Sequence, residues 1–253
     1  MAIYVLTLRG RPEELDALTP ELWDAGCLGI EELEHEIRAY FPWKVEVPHG
    51  HWAELNERDW EREWKKGLGP VVVGQFLIQP SWLPRQPNAI GIDPGMAFGT
   101  GHHITTQQAL LLLQAHALAG RRVLDLGSGS GILAIAAAKL GAREVIGIDN
   151  DPATIPIAQD NAQANGVTVT FQVGTLADAP GKFAVIIANL YAEVLAEEAE
   201  ALWAHLEPTG SVIATGILVG LEPLVTDAWQ RAGLSITRRE RREEWAALVA
   251  APA

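Results

Sequence analysis

The sequence predicts an α/β protein: a doubly wound, mostly parallel sheet, preceded by a small α+β domain and a connecting helix. Three observations predict it. From Ile104 onward, helical and strand-like runs alternate with short connections, which enforces parallel strands with helices on both faces. Before residue 50 the runs are short and strand-rich. Between these parts, Gly67, Gly69 and Pro70 break a charged helical stretch. The expected division is 1–50, a connecting helix 51–66, and a larger domain 67–253. A chain of 253 residues with 48% hydrophobic and 20% charged residues can bury such a core.

In the first part, Ile3, Val5, Leu6 and Leu8 read as a strand. Pro12 then suits a first helical turn ahead of Leu15, Leu18 and Leu22, and Gly26 is the expected stop. Two paired strands follow at 28–33 and 37–41, with Pro42 and Pro48 confining further pairing to edges. A strand, a helix and paired strands suggest a ferredoxin-like unit. In 51–66, Trp52, Trp60 and Trp64 recur at multiples of four among charges, as in an amphipathic helix. Those tryptophans suit either packing between domains or a recognition surface.

In the larger domain, strands are expected at 71–78 and 89–92. A helix at 105–118 comes next, then strands at 122–126, 144–148, 167–173, 183–188 and 211–217. Helices at 132–140, 152–165, 191–206 and 221–232 separate these strands. The runs 234–237 and 245–249, with a charged turn and no helix between them, read as a hairpin that leaves one antiparallel strand in the sheet.

The most informative feature is Asp125-Leu126-Gly127-Ser128-Gly129-Ser130-Gly131, where a buried strand ends, glycines permit close backbone approach and a helix begins. The spacing lacks the third glycine of a dinucleotide fingerprint, since Ile132 stands there, and no Lys-Ser or Lys-Thr completes a phosphate loop. Asp149 ends the next strand, where a carboxylate can accept both hydroxyls of a ribose or, alternatively, cap the following turn. Asp125 is costly to bury without a donor, and a cationic ligand supplies one. A nucleoside with a positive, phosphate-free tail fits this set, and S-adenosylmethionine is such a molecule.

The order of glycine loop, acid at the next strand end and Asn189 ending the fourth strand resembles the class I, Rossmann-like methyltransferases. The segment Asp93-Pro94-Gly95-Met96-Ala97-Phe98-Gly99-Thr100-Gly101-His102-His103-Ile104-Thr105-Thr106 is similar to the signature of the ribosomal protein L-eleven methyltransferase family. The likeness extends to Glu244-Trp245 and covers nearly the whole chain. It implies S-adenosylmethionine as methyl donor, with His103, Thr106, Gly127, Ser128, Gly129, Asp149 and Asn189 contacting it. It also implies that lysine side chains and the N-terminal amine of that ribosomal protein are methylated, with the front domain recognising the substrate. His102 and Ile104 stand where the family more often has Thr and Pro. Gly174-Thr175 replaces an acid that many relatives place against adenine, a role open to Asp178.

Asn189, our candidate catalytic residue, can accept an N–H bond from an amine, or cap the helix after it. The Asn-Leu-Tyr-Ala turn lacks the prolines with which relatives grip planar amino groups, which argues for an aliphatic amine. Gly95, Gly99 and Gly101 let their loop move as a lid. Adjacent His102 and His103 point apart with no third ligand nearby, so no metal is expected. The net charge of −13 repels a phosphate backbone, so no direct duplex nucleic acid partner is expected, while a basic protein is attracted. The front 66 residues hold 15 of the 32 acids and 8 of the 19 bases. One cysteine, Cys27, forms no internal bridge, and apolar runs such as 132–138 are too short for a membrane span, so a cytoplasmic protein is expected; we further expect a monomer. Rival readings are methylation of another protein or a small amine, and a nucleoside-binding regulator without catalysis.

Overall fold

The computed structural model describes residues 3–10, 15, 18, 22, 25–27, 29–33, 36–45, 50–55, 69–84, 86, 88–93 and 99–253. The chain divides into two compact units, Met1–Leu68 and Gly69–Ala253.

In the first unit, β1 (Ile3–Arg9), β2 (Gly29–Leu33), β3 (Glu36–Phe41) and β4 (His51–Leu55) form an antiparallel sheet in the order β2-β3-β1-β4. Period-two alternation sends Leu6, Leu8, Ile37, Ala39 and Phe41 to one face, where Leu15, Leu22 and Cys27 pack on them. The other face carries Thr7, Arg9, Glu36, Arg38 and His51, with Glu36 accepting from Arg9 Nε and Arg38 Nε, each at 2.7 Å. His51–Leu55 are therefore a strand, not the first turns of a connecting helix. Trp52 belongs to the buried face, its ring centroid 5.4 Å from that of Phe41, so here period two prevails over helical spacing. The rest of that expected helix, with Trp60 and Trp64, lies outside the described residues. So do most of the helix expected after Pro12 and the segment 94–98.

The second unit opens with a small sheet of β5 (Val71–Val73), β6 (Phe76–Pro80) and β7 (Ala89–Ile92), β5 antiparallel and β7 parallel to β6. Helix α1 (Ile104–Gln114) follows. The chain then alternates β8 (Arg122–Leu126), α2 (Ile132–Lys139), β9 (Glu144–Asp149), α3 (Thr154–Ala164), β10 (Thr170–Val173) and β11 (Phe183–Asn189). It continues through α4 (Ala192–Glu197), α5 (Ala199–Ala204), β12 (Leu206–Leu218), α6 (Glu222–Arg231), β13 (Leu234–Arg242) and β14 (Trp245–Pro252). The large sheet runs β10-β9-β8-β11-β12-β14-β13, and β14 alone runs opposite to the other six strands.

Both faces are covered. Val123, Val145, Val185, Ile187 and Ile213 face Leu110, Leu113, Ile135 and Ala158 of α1, α2 and α3. Leu124, Ile146, Ile186 and Val212 face Leu195, Leu202 and Trp229 of α4, α5 and α6, and Trp229 Nε1 donates to Leu195 O at 2.8 Å. The helix expected over 191–206 is two helices, and Leu206 already belongs to β12. The final hairpin extends through Arg238–Arg242 because β13 is an edge strand, whose charged side chains stay solvated. Among the described residues no helix is long and apolar enough to cross a membrane.

Candidate active site at the carboxyl ends of the central strands

Chain order reverses between β8 and β11, and such a switch point opens a crevice outside the carboxyl ends of the strands. The glycine loop fills one wall of it. Gly127, Gly129 and Gly131 have φ of +73°, +50° and +79°, a region costly for other residues. A Cβ on Gly127 would stand 2.5 Å from Leu190 Cδ2, and one on Gly131 2.8 Å from Phe171 Cζ. A side chain at either position would have to displace Leu190 or Phe171. Gly127 N and Ser128 N donate to Ile148 O at 2.8 and 3.1 Å, and Gly131 N to Ser128 O at 2.7 Å.

Asp125 is fully buried at the root of this loop. Its Oδ2 accepts from Ala134 N in the first turn of α2 at 2.9 Å, while Oδ1 has no partner among the described residues. Burial pushes its carboxyl up from 3.8 to about 7; the Ala134 N–H opposes this and the nearby Asp149 charge adds to it. Ser128 Oγ is a second buried oxygen without a described partner. Such groups are costly to leave unmade, and a ligand with donors completes them.

Asp149, at the end of β9 and half-buried, accepts from Gly129 N at 2.8 Å and Asp151 N at 3.0 Å. Two backbone bonds use part of its capacity of about four acceptor sites, leaving room for hydroxyl donors. Both of its sequence-level readings, ligand acceptor and turn cap, are therefore compatible with one geometry. Asp178 turns its Oδ2 to Thr175 N (2.8 Å) and Thr175 Oγ1 (3.1 Å), which hold its carboxyl below the usual range.

Asn189 ends β11 with its side chain between two hydroxyls. Its Nδ2 donates to Thr106 Oγ1 at 3.4 Å, and its Oδ1 accepts from Thr215 Oγ1 at 3.0 Å. Both threonines are buried. No side-chain cap of the helix after Asn189 is formed; Tyr191 is the N-cap residue there. A Cβ on Gly216 would come within 2.8 Å of Leu190 O, so the β12 exit also needs glycine, at φ +82°. Thr215 was missed in the sequence, although it is in register with Asn189 and precedes a glycine.

His103 is the N-cap of α1, its Nδ1 2.7 Å from Thr105 Oγ1, and its ring stands edge-on to Trp245 with centroids 5.3 Å apart. His102 instead places Nε2 2.9 Å from Gly69 O. The structure therefore gathers Gly127, Ser128, Gly129 and Asp149 around one loop and Thr106 with Asn189 beside it. His103 caps α1, the helix that carries Thr106. The buried pair Ser130 and Asn161 also went unread, because a serine between glycines and an asparagine in a helix carry no local signal.

The family model "Ribosomal protein L11 methyltransferase (PrmA)" matches residues 17–252. This chain belongs to that family. Two relatives named ribosomal protein L11 methyltransferase span almost the same length. The one from Deinococcus radiodurans is 45% identical over 93% of this chain and 91% of its own, and the one from Thermus thermophilus 42% identical over 98% and 99%. The crystal structure of a ribosomal protein L11 methylase from Lactobacillus delbrueckii subsp. bulgaricus superposes with a TM-score of 0.68 at 34% identity. It covers 73% of this chain and 97% of that one.

Proposed function

We propose that this chain transfers methyl groups from S-adenosyl-L-methionine to amino groups of ribosomal protein L11, on lysine side chains and at its N-terminus. The observation that carries the reading is the buried, half-satisfied Asp125 carboxylate under a glycine loop at the switch point. Family membership along the whole chain supports the substrate. A cationic nucleoside fits: Asp125 and Ser128 would face its positive end, Gly127 and Gly129 would admit it closely, and Asp149 would accept its ribose hydroxyls. We assign His103 and Thr106 to the same cofactor site. When bound, the cofactor supplies a methyl carbon on a sulfonium, activated for in-line displacement.

The chain's own residues set up the acceptor amine. A lysine of pKa ~10.4 must lose its proton to attack, which at pH 7 costs roughly 4.6 kcal/mol unless the amine is desolvated. What the site then contributes is alignment, since the nitrogen has to stand ~3–3.5 Å from the methyl carbon. Asn189 is the group we assign to it: Thr106 and Thr215 fix the amide from both sides, and Oδ1 keeps a lone pair for an amine N–H. Neither threonine can be a strong base, so the amide orients the amine and does not remove its proton.

We further propose that residues 1–55, which include β4, recognise the substrate, that 56–66 connect, and that 67–253 carry the chemistry. The protein then acts in the cytoplasm as a monomer, and its net charge of −13 supports a basic protein partner rather than duplex nucleic acid. The test is intact-mass analysis of ribosomal protein L11 before and after incubation with enzyme and S-adenosylmethionine. Increments of whole methyl groups are expected. An unchanged mass with folded enzyme refutes the assignment.

A further inference from the structure

The glycine loop is tied to the rest of the second unit by a buried polar chain that the reaction itself does not use. Ser130, 1% exposed, stands between two glycines of positive φ. Its hydroxyl donates to Gly99 O at 2.7 Å, and its carbonyl accepts from Asn161 Nδ2 at 2.9 Å. Asn161 Oδ1 in turn accepts from Asp93 N at 3.1 Å. One turn further on, Asn165 closes a two-way bond with Gly91, accepting from Gly91 N at 2.9 Å and donating to Gly91 O at 2.6 Å. It also donates to Asn161 O at 2.8 Å. Asn161 and Asn165 are 3% and 4% exposed, on the side of α3 that otherwise presents Ile155, Ala158 and Ala162 to the core.

Burying two amides in an apolar face costs more than burying two leucines unless every donor and acceptor is met, so these bonds have to be made together. The partners they reach are all backbone: the end of β7, the residues Asp93 and Gly99 on either side of segment 94–98, and the middle of the glycine loop. A loop with three glycines has the largest backbone freedom to lose on binding a ligand, and a loop fixed beforehand does not lose it at that moment.

We propose that Ser130 and Asn161 are positioning residues for the cofactor: a buried latch that holds the glycine loop in register with Asp93 and Gly99, and so sets affinity for S-adenosylmethionine. The proposal rests on the cofactor site assigned above. Because Ser130 Oγ and Ser130 O bind different partners, removing either bond frees the same loop.

Calorimetric titration of S-adenosylmethionine into full-length Ser130→Ala, Asn161→Ala, Asn161→Asp and the double Ser130→Ala/Asn161→Ala tests it. Asn161→Asp keeps the acceptor for Asp93 N but sets a carboxylate oxygen against Ser130 O. Each single variant is expected to bind about ten-fold more weakly, with the double variant no more than about twice as weak as the worse single, because coupled residues are non-additive. Hydrogen exchange of the Gly129 to Gly131 amides should quicken in the free variants. Glu222→Gln, at a buried acid that pairs instead with Arg239 and Arg241, should lower the melting temperature without changing affinity. If Asn161→Ala does not fold, Ser130→Ala and Asn161→Asp decide. No heat with the wild type overturns the cofactor site and the latch together; wild-type affinity in the folded variants, or fully additive losses, overturns the latch alone.

Discussion

Asp125→Asn is the perturbation with the clearest signature. The folded chain holds the Asp125 proton up to about 7, whereas an unfolded aspartate releases it near 3.8. Since the folded state binds this proton more tightly, the group costs nothing below about pH 4. Its penalty grows as pH rises through the window and levels off above 7. The full gap corresponds to about 4 kcal/mol, with about 2 kcal/mol already present at pH 5.5. Asn has no proton to lose and can still accept from Ala134 N, so its stability is flat in this respect. Urea unfolding of both proteins at pH 5.5 and pH 8 should therefore show the variant gaining about 2 kcal/mol on the wild type between the two. Saturating S-adenosylmethionine should reverse the order at pH 8, because only the carboxylate is paired by a cation. A stability difference between the two proteins that is equal at both pH values would refute the claim that burial raises the Asp125 carboxyl.

Four further outcomes follow from the same geometry. Asn189→Ala should lower kcat about 100-fold in single-turnover methyl transfer, the scale on which misplaced reactants lose rate. Thr215→Val, close to isosteric, removes one of the two hydroxyls holding that amide; kcat should fall about ten-fold while the melting temperature shifts little. Asp149→Ala should weaken S-adenosylmethionine binding by calorimetry by about 10- to 100-fold, since the Gly129 N–H is released along with the proposed ribose acceptor. A protein comprising 69–253 should still bind the cofactor but methylate ribosomal protein L11 far more slowly, and undiminished turnover would move substrate recognition into the second unit.

The parts of this design legible in the sequence are those written in neighbouring residues. The loop at Gly127 to Gly131 follows Asp125 within one strand end, and the alternation from Ile104 onward is continuous, so the sheet and its crevice are readable without coordinates. His51–Leu55 went the other way because Trp52 fits helical spacing with Trp60 and Trp64 as well as it fits a strand. Only pairing with β1 through Leu6 and Val5 distinguishes the two. The charged run at 238–242 is strand because its place at the sheet edge is a tertiary fact. Thr215 and Asn161 act across 26 and 31 residues on Asn189 and Ser130, and no local pattern announces such a distance.

The site's chemistry then follows from the period of a β-strand. Val123, Val145, Val185, Ile187 and Ile213 all face α1, α2 and α3, and stepping two residues along each strand from these reaches Asp125, Asn189 and Thr215, with Asp149 reached from Val145 in two such steps. Register places Asp125 beside Ile187 and Asn189 beside Thr215, so the polar groups crown the apolar rows at their carboxyl ends on one face. A slip of one residue in β11 would turn Asn189 toward α4 and bury Ala188 and Ile186 on the wrong side. The same hydrophobic pattern that folds the sheet therefore fixes where the Asn189 amide stands.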